Sequence, residues 1–386
     1  MSKILPNNPQ YNTILRNNPH LQQIASASTH EERELNVKSL NVLERKLRDS
    51  DPELKYSKKK GEKSVNHWGQ RKLLLSEIEF LTEYSSPGDT VVYAGAAPGT
   101  HIKWLSDLFP KLKFILYDPA DFQIQSTEQI TIYKQFFTDE TAMLYTSGNV
   151  LFICDIRTAD YNLMKDEEVE EAVVKDQLMQ LKWYQIMKPK YSMLKFRLPW
   201  GKGTTEYLDG KIYFPIWGRP TTTETRLVVA RNAGIKIYDN TKYEEQMSYF
   251  NNITRVTYYE RSQKFNIIGL DHCYDCSSEI VVVLNYIAKY CEWRDNKELY
   301  ALIEFIINSN GKYSSANGER TLATHISDAS RQKWFIPRIY DTENKQIISV
   351  SPSSTSTSSG QTASAETREE RTVRLSDLSQ ISQITK

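Results

Sequence analysis

Chemistry in this sequence begins with four charged residues placed at the ends of apolar elements. Lys195 lies within Tyr191-Ser192-Met193-Leu194-Lys195-Phe196-Arg197-Leu198, whose alternation predicts a strand with Lys195 and Arg197 on one face. A lysine inside a largely buried strand needs a partner; the alternatives are a solvated edge and a functional lysine. Asp155 ends Val150-Leu151-Phe152-Ile153-Cys154, a run that is apolar on both faces as a central parallel strand should be. A strand-terminal acid of this kind faces the crevice where ligands bind, unless it only caps the next helix. Glu224 stands at the mouth of the predicted strand Thr225–Ala230. Lys72 falls in the first turn of a predicted helix, Gly69–Tyr84, where the helix dipole disfavours a cation. It is therefore either plainly exposed or aimed at a site that needs positive charge. All four sit where they could converge, and two lysines with two acids are the materials of proton transfer.

A second constellation could hold a ligand. The apolar run Thr90-Val91-Val92-Tyr93-Ala94 enters the turn Gly95-Ala96-Ala97-Pro98-Gly99-Thr100-His101, after which Ile102, Leu105 and Leu108 recur at helical spacing. Gly95 and Gly99 permit positive φ and carry no Cβ, so the backbone can approach a bound molecule beside the free N–H groups of the helix. The next strand, Phe114-Ile115-Leu116-Tyr117, ends in Asp118, where an α/β nucleotide site places the carboxylate that accepts from ribose hydroxyls. These features suit NAD and S-adenosylmethionine alike. Neither Gly-x-Gly-x-x-Gly nor Gly-Lys-Ser/Thr follows the strand, so the pyrophosphate fingerprints are missing.

The elements that must position these residues alternate strand with helix, which predicts an α/β fold: a doubly wound, mostly parallel sheet with helices on both faces. Ile130–Gln135 adds a strand, and Val174, Leu178 and Leu181 mark a helix over Glu167–Met187 that stops before Pro189. Residues 1–50 form a polar arm in which Leu40, Leu43 and Leu47 suggest one short terminal helix. The folded domain is expected over 51–345, closed by helices or strands at Ile280–Tyr290 and Leu299–Ile307. The tail 346–386 contains the Ser/Thr-rich tract Pro352–Glu366, which lacks the apolar surface to fold. The loop Tyr56-Ser57-Lys58-Lys59-Lys60-Gly61-Glu62-Lys63 is either a solvated surface or a phosphate contact.

Composition narrows the classes. The 386 residues carry 49 basic and 48 acidic side chains, so any contact with nucleic acid must come from local patches. Four cysteines are too few for a disulfide framework, and Cys273 with Cys276 forms a single C-x-x-C without a second pair, which argues for packing rather than a metal. The longest apolar run, Ile280–Leu284, is far shorter than the roughly 18 residues of a membrane span, so a soluble protein is expected.

The segments Gly69-Gln70-Arg71-Lys72-Leu73-Leu74-Leu75, Val91 through Ile102, Asp155-Ile156-Arg157, Leu194-Lys195-Phe196-Arg197 and Glu224-Thr225-Arg226-Leu227 carry a resemblance. In order and interval they are similar to the poxvirus-type cap-specific mRNA (nucleoside-2′-O-)-methyltransferases, a family whose members are also poly(A) polymerase small subunits. The likeness covers roughly residues 55 to 310. It implies a Rossmann-like methyltransferase that uses S-adenosylmethionine, with a tetrad of Lys72, Asp155, Lys195 and Glu224. A ribose 2′-hydroxyl is a poor nucleophile, so its proton must be removed and its geometry fixed; Lys195 is the implied base, with the acids orienting both lysines.

The same resemblance assigns the cofactor to Gln70, Tyr93, Gly95, Gly99, His101, Asp118, Phe137, Asp155 and Arg157, and names no metal. For a methylated guanine cap, which is cationic and planar, it implies a stack on Trp200 and Tyr56 with Glu244 accepting from the base edge. Three positions depart from the pattern. Ala120 replaces a basic residue beyond the ribose acid, Phe137 replaces a smaller contact to adenine, and the family's second guanine-reading acid falls near Lys202 instead. Capped mRNA and a viral poly(A) polymerase catalytic subunit are the implied partners, the virion and host cytoplasm the implied location. The rivals are an accessory RNA-binding subunit without catalysis, a 2′-O-methyltransferase of another RNA, and an NAD oxidoreductase, which lacks the right glycines.

Overall fold

The computed structural model describes residues 43, 45–56, 69–146, 148–160, 163–219, 221–255, 274–314, 338–341 and 346–349. The arm before residue 43, the lysine-rich loop after Tyr56, Cys273 and the Ser/Thr tract lie outside the described residues.

Strands β1 (Lys46–Leu47), β2 (Thr90–Ala94), β3 (Lys113–Tyr117), β4 (Ile130–Tyr133), β5 (Val150–Cys154), β6 (Tyr191–Phe196), β7 (Thr204–Leu208), β8 (Lys211–Tyr213), β9 (Thr225–Ala230) and β10 (Ile235–Asp239) precede a separate hairpin, β11 (Arg338–Asp341) and β12 (Gln346–Ser349). The helices are α1 (Gly69–Tyr84), α2 (Ile102–Leu108), α3 (Asp139–Met143), α4 (Asp166–Met187), α5 (Asn240–Tyr249), α6 (Tyr274–Tyr290) and α7 (Asn296–Tyr313).

Eight strands form one sheet in the order β1-β8-β9-β6-β5-β2-β3-β4. From β4 to β6 the neighbours run parallel, and β9, β8 and β1 then continue antiparallel, so the sheet is mostly parallel as expected. The chain winds from β2 outward to β4, then returns to β5 on the other side of β2. That reversal opens a crevice beyond the carboxyl ends of β2 and β5, the place where doubly wound sheets bind ligands.

Alternation along each strand divides the core into two layers. Val91 and Tyr93 of β2, Leu151 and Ile153 of β5, and Met193 of β6 face a layer built from α1, α2, α6 and α7. Val92 and Ala94, Phe152 and Cys154, and Leu194 and Phe196 face the layer of α4 and α5. Every residue of β5 is buried, which fits its central position. Helix α4 begins where the Glu168 carboxylate accepts from the Lys165 backbone and ends at Lys188 in a left-handed conformation before Pro189.

One expectation fails at the sheet edge. Lys46 and Leu47 are not the end of a helix but an edge strand, paired with Tyr213 and Ile212 of β8. Arg45 and Lys46 are drawn there by Glu79 and Glu83 of α1, and such tertiary pairing overrides a weak local helical period. The segments Ile280–Tyr290 and Leu299–Ile307 resolve as the helices α6 and α7.

Candidate functional site

Backbone sterics build the crevice. Gly95 ends β2 at φ +81°, and a Cβ there would lie 2.8 Å from the Ile156 nitrogen and 2.9 Å from the Asp155 carbonyl carbon. Only glycine lets the end of β2 close against the end of β5. Gly99 has φ +68° and faces Phe122 and Ile124. Asp118 ties the turn to β3: one carboxylate oxygen accepts from the Ala97 amide at 3.1 Å and the other from Ala120 at 2.8 Å.

Above this crevice the four charged residues meet, each delivered by a different element. Lys72 of α1 donates to Glu224 at 2.5 Å. Lys195 of β6 lies 3.3 Å from Asp155 and 3.7 Å from the second Glu224 oxygen. A fifth group was missed: Arg226 of β9 donates to Asp155 at 2.6 Å and to Glu224 at 3.0 Å, so it bridges both acids. Its signal was legible, because Glu224 and Arg226 are two residues apart at a strand and so share a side. The cluster is mostly buried yet not sealed, with side chains of Lys195 and Asp155 11% and 13% exposed. Burial pushes the Lys72 ammonium below its ordinary range, and Arg226 and Lys195 add to that while Glu224 opposes it. Burial alone would raise Glu224, but Lys195, Lys72 and Arg226 outweigh it and hold the carboxyl well below the usual range.

Lys195 and Arg197, expected on one face, have separate partners. Arg197 donates to Glu170 of α4 at 2.6 Å, and α4 also fixes the strand's backbone: Gln180 donates to the Lys195 carbonyl and Gln177 to that of Arg197.

The residues assigned to a cofactor divide by exposure. Gln70, Gly95, Asp118, Asp155 and Arg157 retain partial exposure around the crevice, whereas Gly99 is buried. Tyr93 and His101 are only 1% and 2% exposed, and both bond to Glu77 of α1. Phe137 packs edge-on against Tyr117 and Trp183 in the α4 layer. Arg157 pairs with the buried Asp176 at 3.2 Å.

Of the three residues assigned to a cap, Tyr56 and Trp200 meet one loop, 221–224, and Glu244 meets the residue after Trp200. The Tyr56 hydroxyl lies 3.5 Å from the Thr221 carbonyl, and the Trp200 indole donates to the Thr223 hydroxyl at 3.3 Å. Glu244 of α5 accepts from Gly201 at 3.4 Å. Tyr243 and Asn251 hold the loop by donating to the carbonyls of Thr223 and Thr222, and the loop leads straight into Glu224. Glu170 was also missed: it accepts from the Trp200 backbone at 3.0 Å while holding Arg197, whose guanidinium stands 4.5 Å from the Trp200 ring centre. No sequence spacing announces that contact, because residues 170 and 200 meet only through the fold.

The arrangement thus combines a glycine-lined crevice at a sheet switch, a paired-charge cluster and a loop beside it that Tyr56 and Trp200 contact. A sequence model of the family described as poly A polymerase regulatory subunit matches residues 45–308. The cap-specific mRNA (nucleoside-2′-O-)-methyltransferase of myxoma virus (strain Lausanne) is 28% identical over 232 residues, covering 53% of this chain and 68% of that protein. The enzyme of the same name from fowlpox virus (strain NVSL) is 31% identical over 208 residues, covering 47% of this chain and 66% of its own. Among solved structures, the RNA-capping VP4 of bluetongue virus overlaps 62% of this chain and 41% of its own, with 12% identity and a TM-score of 0.39. The sheet order, not this neighbour, assigns the fold.

Proposed function

The chain belongs to the family of poly A polymerase regulatory subunits, and from that premise we propose that it methylates the ribose 2′-hydroxyl of the first transcribed nucleotide of capped mRNA, converting cap 0 to cap 1. The observation that carries this reading is the convergence of Lys72, Asp155, Lys195 and Glu224 from four elements at the mouth of the crevice. The names of the myxoma and fowlpox relatives support it.

The residues present fit S-adenosylmethionine. Each oxygen of Asp118 accepts one backbone N–H and keeps a further lone pair for a ribose hydroxyl. Gln70, Gly95, Gly99, Asp155 and Arg157 would surround the rest, with Tyr93, His101 and Phe137 behind them. When bound, the cofactor supplies an electrophilic methyl group. The protein's part is to set the nucleophile. Lys195 takes the proton of the 2′-hydroxyl, Asp155 and Glu224 orient Lys195 and Lys72, and Arg226 fixes both acids. Trp200 and Tyr56 stack on the cap and Glu244 accepts from its edge, so that the first ribose reaches Lys195.

The test is to incubate the protein with capped RNA and methyl-labelled S-adenosylmethionine, then digest to nucleosides. Label in the 2′-O-methylated first nucleoside is the expected result; label elsewhere, or on uncapped RNA equally, overturns it. The family match also supports association with a poly(A) polymerase catalytic subunit, which copurification with that subunit would check. The free cysteines Cys154, Cys276 and Cys291 fit a reducing compartment, and the virion and host cytoplasm are where we place the activity.

A further inference from the structure

Glu77 has no place in the chemistry described so far, yet two residues assigned to the cofactor, Tyr93 and His101, converge on it, and a third, Gln70, reaches it through His101. It lies on the sheet-facing side of α1, fully buried. The Tyr93 hydroxyl donates to it at 2.8 Å from the last turn of β2. One ring nitrogen of His101, at the start of α2, stands 2.9 Å from one Glu77 oxygen and 3.1 Å from the other. The second ring nitrogen stands 2.8 Å from the Gln70 side-chain oxygen. Burying a carboxyl group in the core is costly, and the Tyr93 hydroxyl and the His101 ring offset part of that cost.

The four residues span the two ends of the glycine turn and the helix that carries the catalytic-cluster lysine. Tyr93 precedes Gly95, His101 follows Gly99, and Gln70, Lys72 and Glu77 all belong to α1. A rigid helix therefore fixes the turn on one flank and the charge cluster on another.

We propose that Glu77 is a positioning residue for the methyl donor: it holds Tyr93 and His101 in the register that shapes the glycine turn, and it sets that turn relative to Lys72. This rests on the cofactor reading above. The reacting atoms do not touch Glu77, so its loss should act on cofactor affinity and leave the cap loop, which depends on Glu170, Thr223 and Glu244, unmoved.

The chemistry of the network gives a rescue. In Glu77→Gln the new amide oxygen accepts from Tyr93 and the amide N–H donates to His101, whose other ring nitrogen then donates to Gln70, so every group stays paired. In Glu77→Leu both donors lose their acceptor.

The experiment measures S-adenosylmethionine affinity by calorimetry and cap-analogue affinity by fluorescence for the wild type, Glu77→Leu, Glu77→Gln and Tyr93→Phe. Glu77→Leu should weaken the cofactor by about tenfold or more, Tyr93→Phe by a few-fold, and Glu77→Gln by less than about threefold, with cap affinity unchanged throughout. A merely structural role would lower both affinities together and leave the Gln variant no better than Leu; that outcome overturns the proposal, as does unchanged cofactor affinity in Glu77→Leu. If Glu77→Leu does not fold, Tyr93→Phe and Glu77→Gln decide, since equal cofactor affinity in Tyr93→Phe and the wild type overturns it. A wild-type protein that binds no S-adenosylmethionine overturns the cofactor reading, and this inference with it.

Discussion

At the scale of residues, Arg226 changes what the two lysines face. Three cations, Lys72, Lys195 and Arg226, share two carboxylates, so the cluster carries an excess positive charge in a mostly buried place. A guanidinium cannot give up its proton at accessible pH, so it cannot serve as the base. Lys195→Arg should therefore lower single-turnover methyl transfer by about two to four orders of magnitude, the span of general acid–base catalysis, while both affinities stay near wild type. Retention of a large fraction of the rate would move the base to Lys72, Asp155 or water. Glu224 gives a pH test. Its folded carboxyl titrates well below the ordinary value of 4.5, so the unfolded chain binds the proton first as acid is added. The stability it contributes is complete above that value and is lost as pH falls toward the folded one. Urea midpoints of the wild type and Glu224→Gln should thus differ most near neutrality and converge below about pH 4; a gap that is constant with pH would sink the claim. These residues were legible because each punctuates an apolar run. Glu77 and Glu170 were not, because a buried acid in a helix has the same spacing as an exposed one until its partner arrives from elsewhere in the chain.

At the scale of elements, α1 is the part on which both halves of the site depend. Its consecutive residues Gln70, Arg71 and Lys72 point to three structures: His101 at the turn, Glu279 of α6 and Glu224 just before β9. The middle contact sets the helix rotation. Arg71 and Glu279 form a two-pronged pair at 2.7 and 2.9 Å with side chains 1% and 0% exposed, and the Trp217 indole also donates to Glu279. Removing one partner of such a pair leaves a buried charge alone, so Arg71→Ala should cost about 3–5 kcal/mol in urea unfolding. Arg71→Met with Glu279→Gln should recover much of it, since the amide strands no charge and its oxygen still accepts from Trp217. Equal losses in the single and double variants would show that the pair is not the anchor. Strong periods made α1, α4, β2, β5, β6 and β9 readable. The strands β1, β7, β8 and β10 were not: β1 and β8 are only two and three residues long, and β7 and β10 mix Thr, Glu, Lys and Asp with their apolar residues; their pairing partners, not their own patterns, make them strands.

At the scale of the whole molecule, charge decides how RNA is found. With 49 basic and 48 acidic residues the chain has a formal net charge of +1, which supplies no general attraction to a polyanion. Recognition of capped RNA must then come from the cap loop and a few phosphate contacts, whereas an accessory subunit that only holds RNA would need many. The two differ in salt dependence, because each phosphate contact on a single strand adds about −0.7 to the slope of log affinity against log salt. Capped RNA should bind with a shallow slope, that of about two or three contacts, and an uncapped RNA of the same sequence should bind markedly more weakly at every salt concentration. Trp200→Ala should erase most of that difference by raising KM for capped RNA while leaving turnover at saturation nearly intact, since stacking is made equally in ground and transition states. The Arg197 guanidinium lies against the Trp200 ring, so the ring's geometry is set before any cap arrives and its removal should leave the fold standing. If capped and uncapped RNA bind alike with a steep slope, and Trp200→Ala changes neither, RNA is held by its backbone and the loop 221–224 is not a cap reader.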